Sequence, residues 1–229
     1  MSLIDAVRAA GLYSAPDAPR ELKKRYAELL SKALAPELAA QLRARGLPGV
    51  KPLPGEPGEK AFQGGLGPKR VDVSYSDEQH GLLLAVSIKS ITSPPFSKNL
   101  KNRFGDLCTE AITLHMRFPY SVVCCLFAFP QEADLDTTPL RPLSTFRRAM
   151  KLMSTISGRD EYTDPGEKFE SVTMMLFGPL REHADTAWVR LFDAETEQEI
   201  TEDAYFSGLV NLFNDRNPHA AIEFEDDAS

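Results

Sequence analysis

The sequence predicts an α/β fold, a central mixed β-sheet flanked by helices, and three observations predict it. Two segments, GLLLAVSIKSI at residues 81–91 and YSVVCCLFAF at 120–129, are apolar on both faces, as interior strands are. Between them, residues 99–117 carry a strongly periodic helical pattern. Helical spacing also opens and closes the chain, at 1–45 and 202–213.

The elements follow in order. Leu3, Ile4 and Val7 recur at helical spacing, and Leu22, Tyr26, Leu29, Leu30 and Ala33 do so after the start signal of Pro19. Pro36 is expected to divide this second helix, because an interior proline removes a helical hydrogen bond. Residues 46–67, GLPGVKPLPGEPGEKAFQGGLG, are rich in proline and glycine and read as a loop. Residues 71–75 then alternate apolar with polar, 77–80 are turn-like, and 81–91 follow, which makes a β-hairpin whose second strand is interior to the sheet. The helix at 99–117 and the strand at 120–129, bounded by Pro119 and Pro130, complete a core of strand, strand, helix, strand. Beyond it a helix is predicted at 141–156, strands at 171–177 and 187–192, and a last helix at 202–213. WVRLFDAETEQEIT reads as a hairpin turning at 194–197.

One domain is expected to take in all 229 residues, because no linker strong enough to split them is present. Its parts are helices at 1–45, the loop at 46–67, the core bearing the candidate site at 68–130, and further helices and strands at 131–229. No apolar run reaches the roughly 18–20 residues of a membrane helix, and MSLIDAVRAAGLY lacks a signal-peptide core, so the cytoplasm is the expected location. Cys108, Cys124 and Cys125 suggest neither a disulfide framework nor a zinc site, and His80, His115, His183 and His219 share no ligand spacing. The net charge of −7 argues against a protein that coats nucleic acid. Charge is unevenly placed, however. Residues 79–105 contain no acid but carry Lys89, Lys98, Lys101 and Arg103, whereas Glu223, Glu225, Asp226 and Asp227 crowd the C-terminus.

Side chains alternate faces along a strand, so Ser87 and Lys89 share one face of the second hairpin strand. A turn centred between Gln79 and His80 pairs Asp72 with Ser87 and puts Lys89 one diagonal step away. A carboxylate and a lysine held together on a buried sheet are costly unless something uses them. Phosphodiester hydrolysis uses both: a carboxylate holds a divalent cation that activates water, and a lysine stabilises the developing negative charge. Magnesium, or manganese in its place, needs more hard oxygen ligands than one carboxylate supplies. At about 100° per residue, Leu100, Phe104, Leu107, Ala111 and Leu114 form the core stripe of the next helix, flanked by Arg103, Asp106, Glu110 and Arg117. Glu110 lies nearer the stripe than Asp106 and is the better second acid. The flanking residues read equally as a solvated ion-pair ladder, above all Asp106.

These residues carry a resemblance. Gly67-Pro68-Lys69-Arg70-Val71-Asp72-Val73, followed by a hairpin and Val86-Ser87-Ile88-Lys89-Ser90, resembles the PD-(D/E)xK restriction-endonuclease-like nuclease superfamily over about residues 59–129. Val71 stands where that family often has proline, and Ser87 where it has Asp or Glu. A subset of its restriction enzymes carries serine there and takes the missing carboxylate from the following helix. The resemblance implies a restriction-endonuclease-like sheet and a magnesium-dependent endonuclease cutting DNA in restriction or anti-phage defence. Asp72, Ser87, Lys89 and Glu110 would be catalytic, and Asp72 with Glu110 or Asp106 would hold metal. Glu59 is a further candidate, resembling an acid that some members place upstream. Lys69, Arg70, Lys98, Lys101 and Arg103 would contact DNA, and paired cutting would call for a homodimer, or for membership of a larger defence complex.

Other readings compete. A catalytically inactive nucleic-acid-binding or assembly subunit on the same fold is the main alternative, and an RNase a weaker one. The Gly64–Lys69 run does not have the phosphate-loop spacing and precedes a strand. Arg147, Arg148 and Lys151 form a second basic cluster, and Trp188 reads as core.

Overall fold

The structure, a computed structural model, describes residues 2–220 apart from 16 and 57. The acidic C-terminal residues named above lie outside these. Two N-terminal helices, α1 (Leu3–Ala9) and α2 (Arg20–Ala44), precede a hairpin of β1 (Lys60–Gly64) and β2 (Gly67–Val71). Then come β3 (Val73–Asp77), β4 (Gly81–Ser90), α3 (Leu100–His115), β5 (Val122–Pro130), α4 (Glu132–Leu135), α5 (Thr145–Met153), β6 (Ser171–Gly178), β7 (Trp188–Asp193), β8 (Glu199–Ile200) and α6 (Glu202–Arg216). Strands β3 to β8 form one mixed sheet in that order. β4, β5 and β6 are parallel, and β3, β7 and β8 are added antiparallel.

Alternation along the strands builds two cores. Val86 and Ile88 of β4 and Cys124 and Leu126 of β5 face α1, α2 and α6, where Leu34, Leu38, Phe206 and Val210 are buried. Ala85 of β4 and Cys125 and Phe127 of β5 face α3 and α5, against Leu107, Ala111, Phe146 and Met150. Ser87 and Lys89 share the face of Ala85 and therefore look toward α3. That strand-helix relationship positions the candidate site.

The hairpin register is the one the sequence implies. Val73 lies opposite Val86 and Ser74 opposite Ala85, with a bulge only beyond Tyr75. Four expectations need correction. Residues 46–67 are not simply a loop, since β1 and β2 form a separate antiparallel hairpin there, with Phe62 edge-on to Phe118. Its glycines mark close approach: a Cβ on Gly64 would lie 2.5 Å from the Thr113 side chain, and one on Gly65 2.3 Å from Met116, both in or next to α3. Lys51 bridges Ser74 on the outer edge of β3 and pins the remaining segment. Second, residues 71–75 are not one strand. The chain breaks at Asp72, where β2 ends and β3 begins.

Third, α2 runs unbroken through Pro36. The proline ring is on the exposed side, so the carbonyl it leaves unpaired faces water. Fourth, residues 141–144 are not helical; α5 starts at Thr145 because Ser144 caps it, accepting the Arg147 N–H at 3.1 Å. The Cys residues are free, and Trp188 is partly buried against the α3-side core.

Away from the candidate site, Glu170 anchors a buried polar network. One oxygen takes Arg159 at 2.7 Å and Arg216 at 3.2 Å. The other accepts the Val123 N–H at 2.7 Å and lies 3.4 Å from His115 Nε2. It ties the ends of α3 and α6 to the start of β5.

Candidate functional site

Asp72 occupies the corner where the chain leaves the β1–β2 hairpin and enters the sheet. There its Oδ2 accepts the backbone N–H of Ile88 at 2.7 Å, which fixes the carboxylate against the end of β4. Lys89, two residues along β4 from Ser87, donates to the Ser87 hydroxyl at 2.7 Å. Ser87 itself is buried. Glu110 projects from α3 toward the same face, with its side chain only 1% exposed, and its Oε2 lies 2.9 Å from Lys89 Nζ. Lys69, from β2, brings a second ammonium to that same oxygen at 2.7 Å.

The charges are mutually dependent. Burial acts to raise the Glu110 pKa, but the ammoniums of Lys89 and Lys69 and the Ser87 hydroxyl outweigh it and hold the carboxyl below its ordinary value. Burial acts to lower Lys89, and the charges of Glu110 and Asp72 reverse that, leaving the amine raised. At Asp72 burial wins: its pKa is raised despite Lys89 and the Ile88 N–H, with the charge of Glu110 adding to the effect. The surroundings thus favour the ionised form of Glu110 and disfavour that of Asp72.

Lys69, Asp72 and Lys89 line a cleft of about 540 Å³, within the usual range of ligand sites, while Glu110 and Ser87 lie buried behind the two lysines. Its floor holds Lys69, Arg70, Asp72, Ile88, Lys89 and Ser90. One wall is α3, with Arg103, Asp106 and Thr109; the opposite wall is α2, with Lys24, Ala27, Glu28 and Ser31. A second cavity, between Tyr13, Tyr26 and Phe96, measures about 70 Å³ and has room for a few waters only.

Of the residues singled out in the sequence, Asp72, Ser87, Lys89 and Glu110 come together. Asp106 lines the same cleft but stays exposed and pairs with Arg103 at 3.4 Å, apart from the buried centre. Glu59 is also at the rim, 3.5 Å from Arg70. Arg70 and Arg103 border the cleft, whereas Lys98, just before α3, and Lys101, in its first turn, are exposed outside the cleft lining. Two features escaped sequence reasoning: the direct contact of Lys69 with Glu110, and the α2 wall. The second had a signal, since Lys24, Ala27, Glu28 and Ser31 fall on one helical stripe of small and polar residues.

The donor set suits a hard divalent cation. Glu110 Oε1 is buried and makes no hydrogen bond among the described residues, and Asp72 commits one oxygen to Ile88. Among the described residues no three His, Cys, Asp or Glu side chains cluster to hold a metal. A cation here would take two carboxylates and complete its shell with water and phosphate oxygens, the habit of magnesium. No family model matches the chain, and no curated protein and no solved structure matches it.

Proposed function

We propose that the protein is a metal-dependent endonuclease that hydrolyses DNA phosphodiester bonds at the Asp72–Lys89–Glu110 centre, on a restriction-endonuclease-like sheet. The observation that carries this reading is Asp72 in the cleft beside Lys89, whose ammonium also contacts the buried carboxylate that Glu110 brings from α3. When bound, magnesium supplies a polarised phosphoryl oxygen and a water of lowered pKa. Asp72 and Glu110 are the residues to hold it. Lys89, kept in place by Ser87 and Glu110, is oriented to neutralise charge that develops on the phosphoryl group. Arg70 and Arg103 on the rim suit phosphate contacts along the strand. Restriction or anti-phage defence and a homodimeric assembly belong to the same proposal.

One observation favours the alternative, a catalytically inactive nucleic-acid-binding or assembly subunit: Glu110 is already met by two ammoniums. The test is incubation of the purified protein with supercoiled plasmid and Mg²⁺ or Mn²⁺, beside Asp72→Asn and Lys89→Met, with single-stranded RNA as a parallel substrate. Cation-dependent nicking that both substitutions abolish is the expected outcome. Cutting that survives Asp72→Asn refutes the assignment, and binding without cutting under every condition selects the inactive subunit.

A further inference from the structure

Lys69 and Lys89 touch the same oxygen of Glu110, yet they are held differently. Lys89 is 17% exposed, belongs to a ten-residue interior strand, and has Ser87 as a second partner. Lys69 is 30% exposed and meets only Glu110 among the described residues. It sits on β2, which pairs with β1 and not with the main sheet. Along β2, Lys69 and Val71 point inward while Arg70 points out toward Glu59. Two ammoniums on one carboxylate oxygen are more than that carboxylate needs, and with Asp72 they make the centre formally neutral. A divalent cation joining Asp72 and Glu110 would then meet two positive charges instead of one.

We propose that Lys69 acts as a placeholder for the cation: it occupies Glu110 in the unloaded protein, and a divalent ion binds only as Lys69 withdraws toward the cleft, where a substrate phosphate is its natural new partner. The inference rests on the nuclease reading of the site. It makes the β1–β2 hairpin the element that couples cation loading to phosphate arrival, because the hairpin carries Lys69 and rests on α3 through Gly64 and Gly65. It also accounts for the neutralised Glu110 without an inactive centre. Lys89 stays in place throughout.

The test is Mn²⁺ binding to the full-length protein, followed by calorimetry and by electron paramagnetic resonance of free Mn²⁺, without nucleic acid. Lys69→Met is compared with the unsubstituted protein, with Lys69→Gln as a second neutral variant, and with Lys24→Met, which removes a cleft charge that does not touch Glu110. Releasing one charge-assisted contact corresponds to about tenfold in affinity, so both Lys69 variants should bind Mn²⁺ roughly tenfold more tightly, and Lys24→Met within about twofold of the parent. Equal or weaker binding by the Lys69 variants overturns the proposal, as does equal tightening by Lys24→Met. If the parent binds Mn²⁺ and cuts DNA while the Lys69 variants gain nothing, the placeholder falls and the nuclease reading stands. If no protein binds Mn²⁺, both fall.

Discussion

Asp72 Oδ2 accepts the Ile88 N–H at 2.7 Å across the break between the two hairpins, so one side chain both closes the chain corner and faces the cleft. The two roles separate in Asp72→Asn, which keeps an acceptor for Ile88 but loses the charge. Burial raises the Asp72 pKa above its unfolded value, against Lys89 and the Ile88 N–H. A raised carboxyl stabilises the fold below its unfolded pKa and loses that contribution as pH rises through the folded one. At neutral pH the ionised group is therefore a cost, and Asp72→Asn should melt at the same temperature or higher at pH 7. Its plasmid cleavage should fall by at least about 100-fold. A variant that melts lower at pH 7 and still cuts contradicts both halves.

The ion pair of Lys89 and Glu110 predicts non-additive stability. Lys89→Met leaves Glu110 with one ammonium, and Glu110→Gln leaves two ammoniums facing a neutral amide, so each should cost about 3 kcal/mol. The double variant removes the contact as a unit and should lose at least about 1 kcal/mol less than the two single losses combined. Urea unfolding of the four proteins measures the coupling. Simple additivity would mean that the 2.9 Å contact contributes nothing to the fold.

Much of this centre is legible in the sequence. Strand alternation in GLLLAVSIKSI assigned Ser87 and Lys89 to one face, the turn at 77–80 set the pairing of Val73 with Val86, and helical periodicity singled out Glu110 over Asp106. These are local rules, and each needed only neighbours in sequence. What escaped depends on distant contacts. The Gly64-Gly65 pair reads as a loose turn until Thr113 and Met116 are seen pressing on it. The stripe of Lys24, Ala27, Glu28 and Ser31 is readable on α2, but that it borders this cleft is set by how the helix packs on the sheet. Lys69 reaches Glu110 only because the chain breaks at Asp72, which a continuous strand at 71–75 conceals.

Glu170 should give the fold an acid-labile lock. Burial acts to raise its pKa, but His115, the Val123 N–H and Arg159 outweigh it and hold the carboxyl below its ordinary value of 4.5. A lowered carboxyl contributes stability above its unfolded pKa, and that contribution is lost as pH falls through the folded one. Glu170→Gln strands Arg159, which is 2% exposed, and should cost about 3 kcal/mol at pH 7. The gap between parent and variant should close as pH drops through 4.5 and below. A gap that stays constant from pH 7 to pH 3 would show that the carboxylate charge is not what the arginines rely on.

Docking of the β1–β2 hairpin should matter for both stability and Lys69. An added Cβ at Gly65 would stand 2.3 Å from the Met116 Cβ, and one at Gly64 would stand 2.6 Å from the Thr113 carbonyl oxygen. Neither neighbour is the free end of a flexible side chain, so the hairpin must lift from α3. Gly64→Ala and Gly65→Ala should each cost about 1–3 kcal/mol, as overpacking does. The same displacement draws Lys69 off Glu110, so Mn²⁺ affinity should rise in both variants even as their melting temperatures fall. Gly58→Ala, where an added Cβ meets nothing within 4 Å, is the control and should change neither quantity. Paired measurement of melting temperature and Mn²⁺ affinity checks this: a loss of stability with unchanged affinity would separate hairpin docking from the position of Lys69.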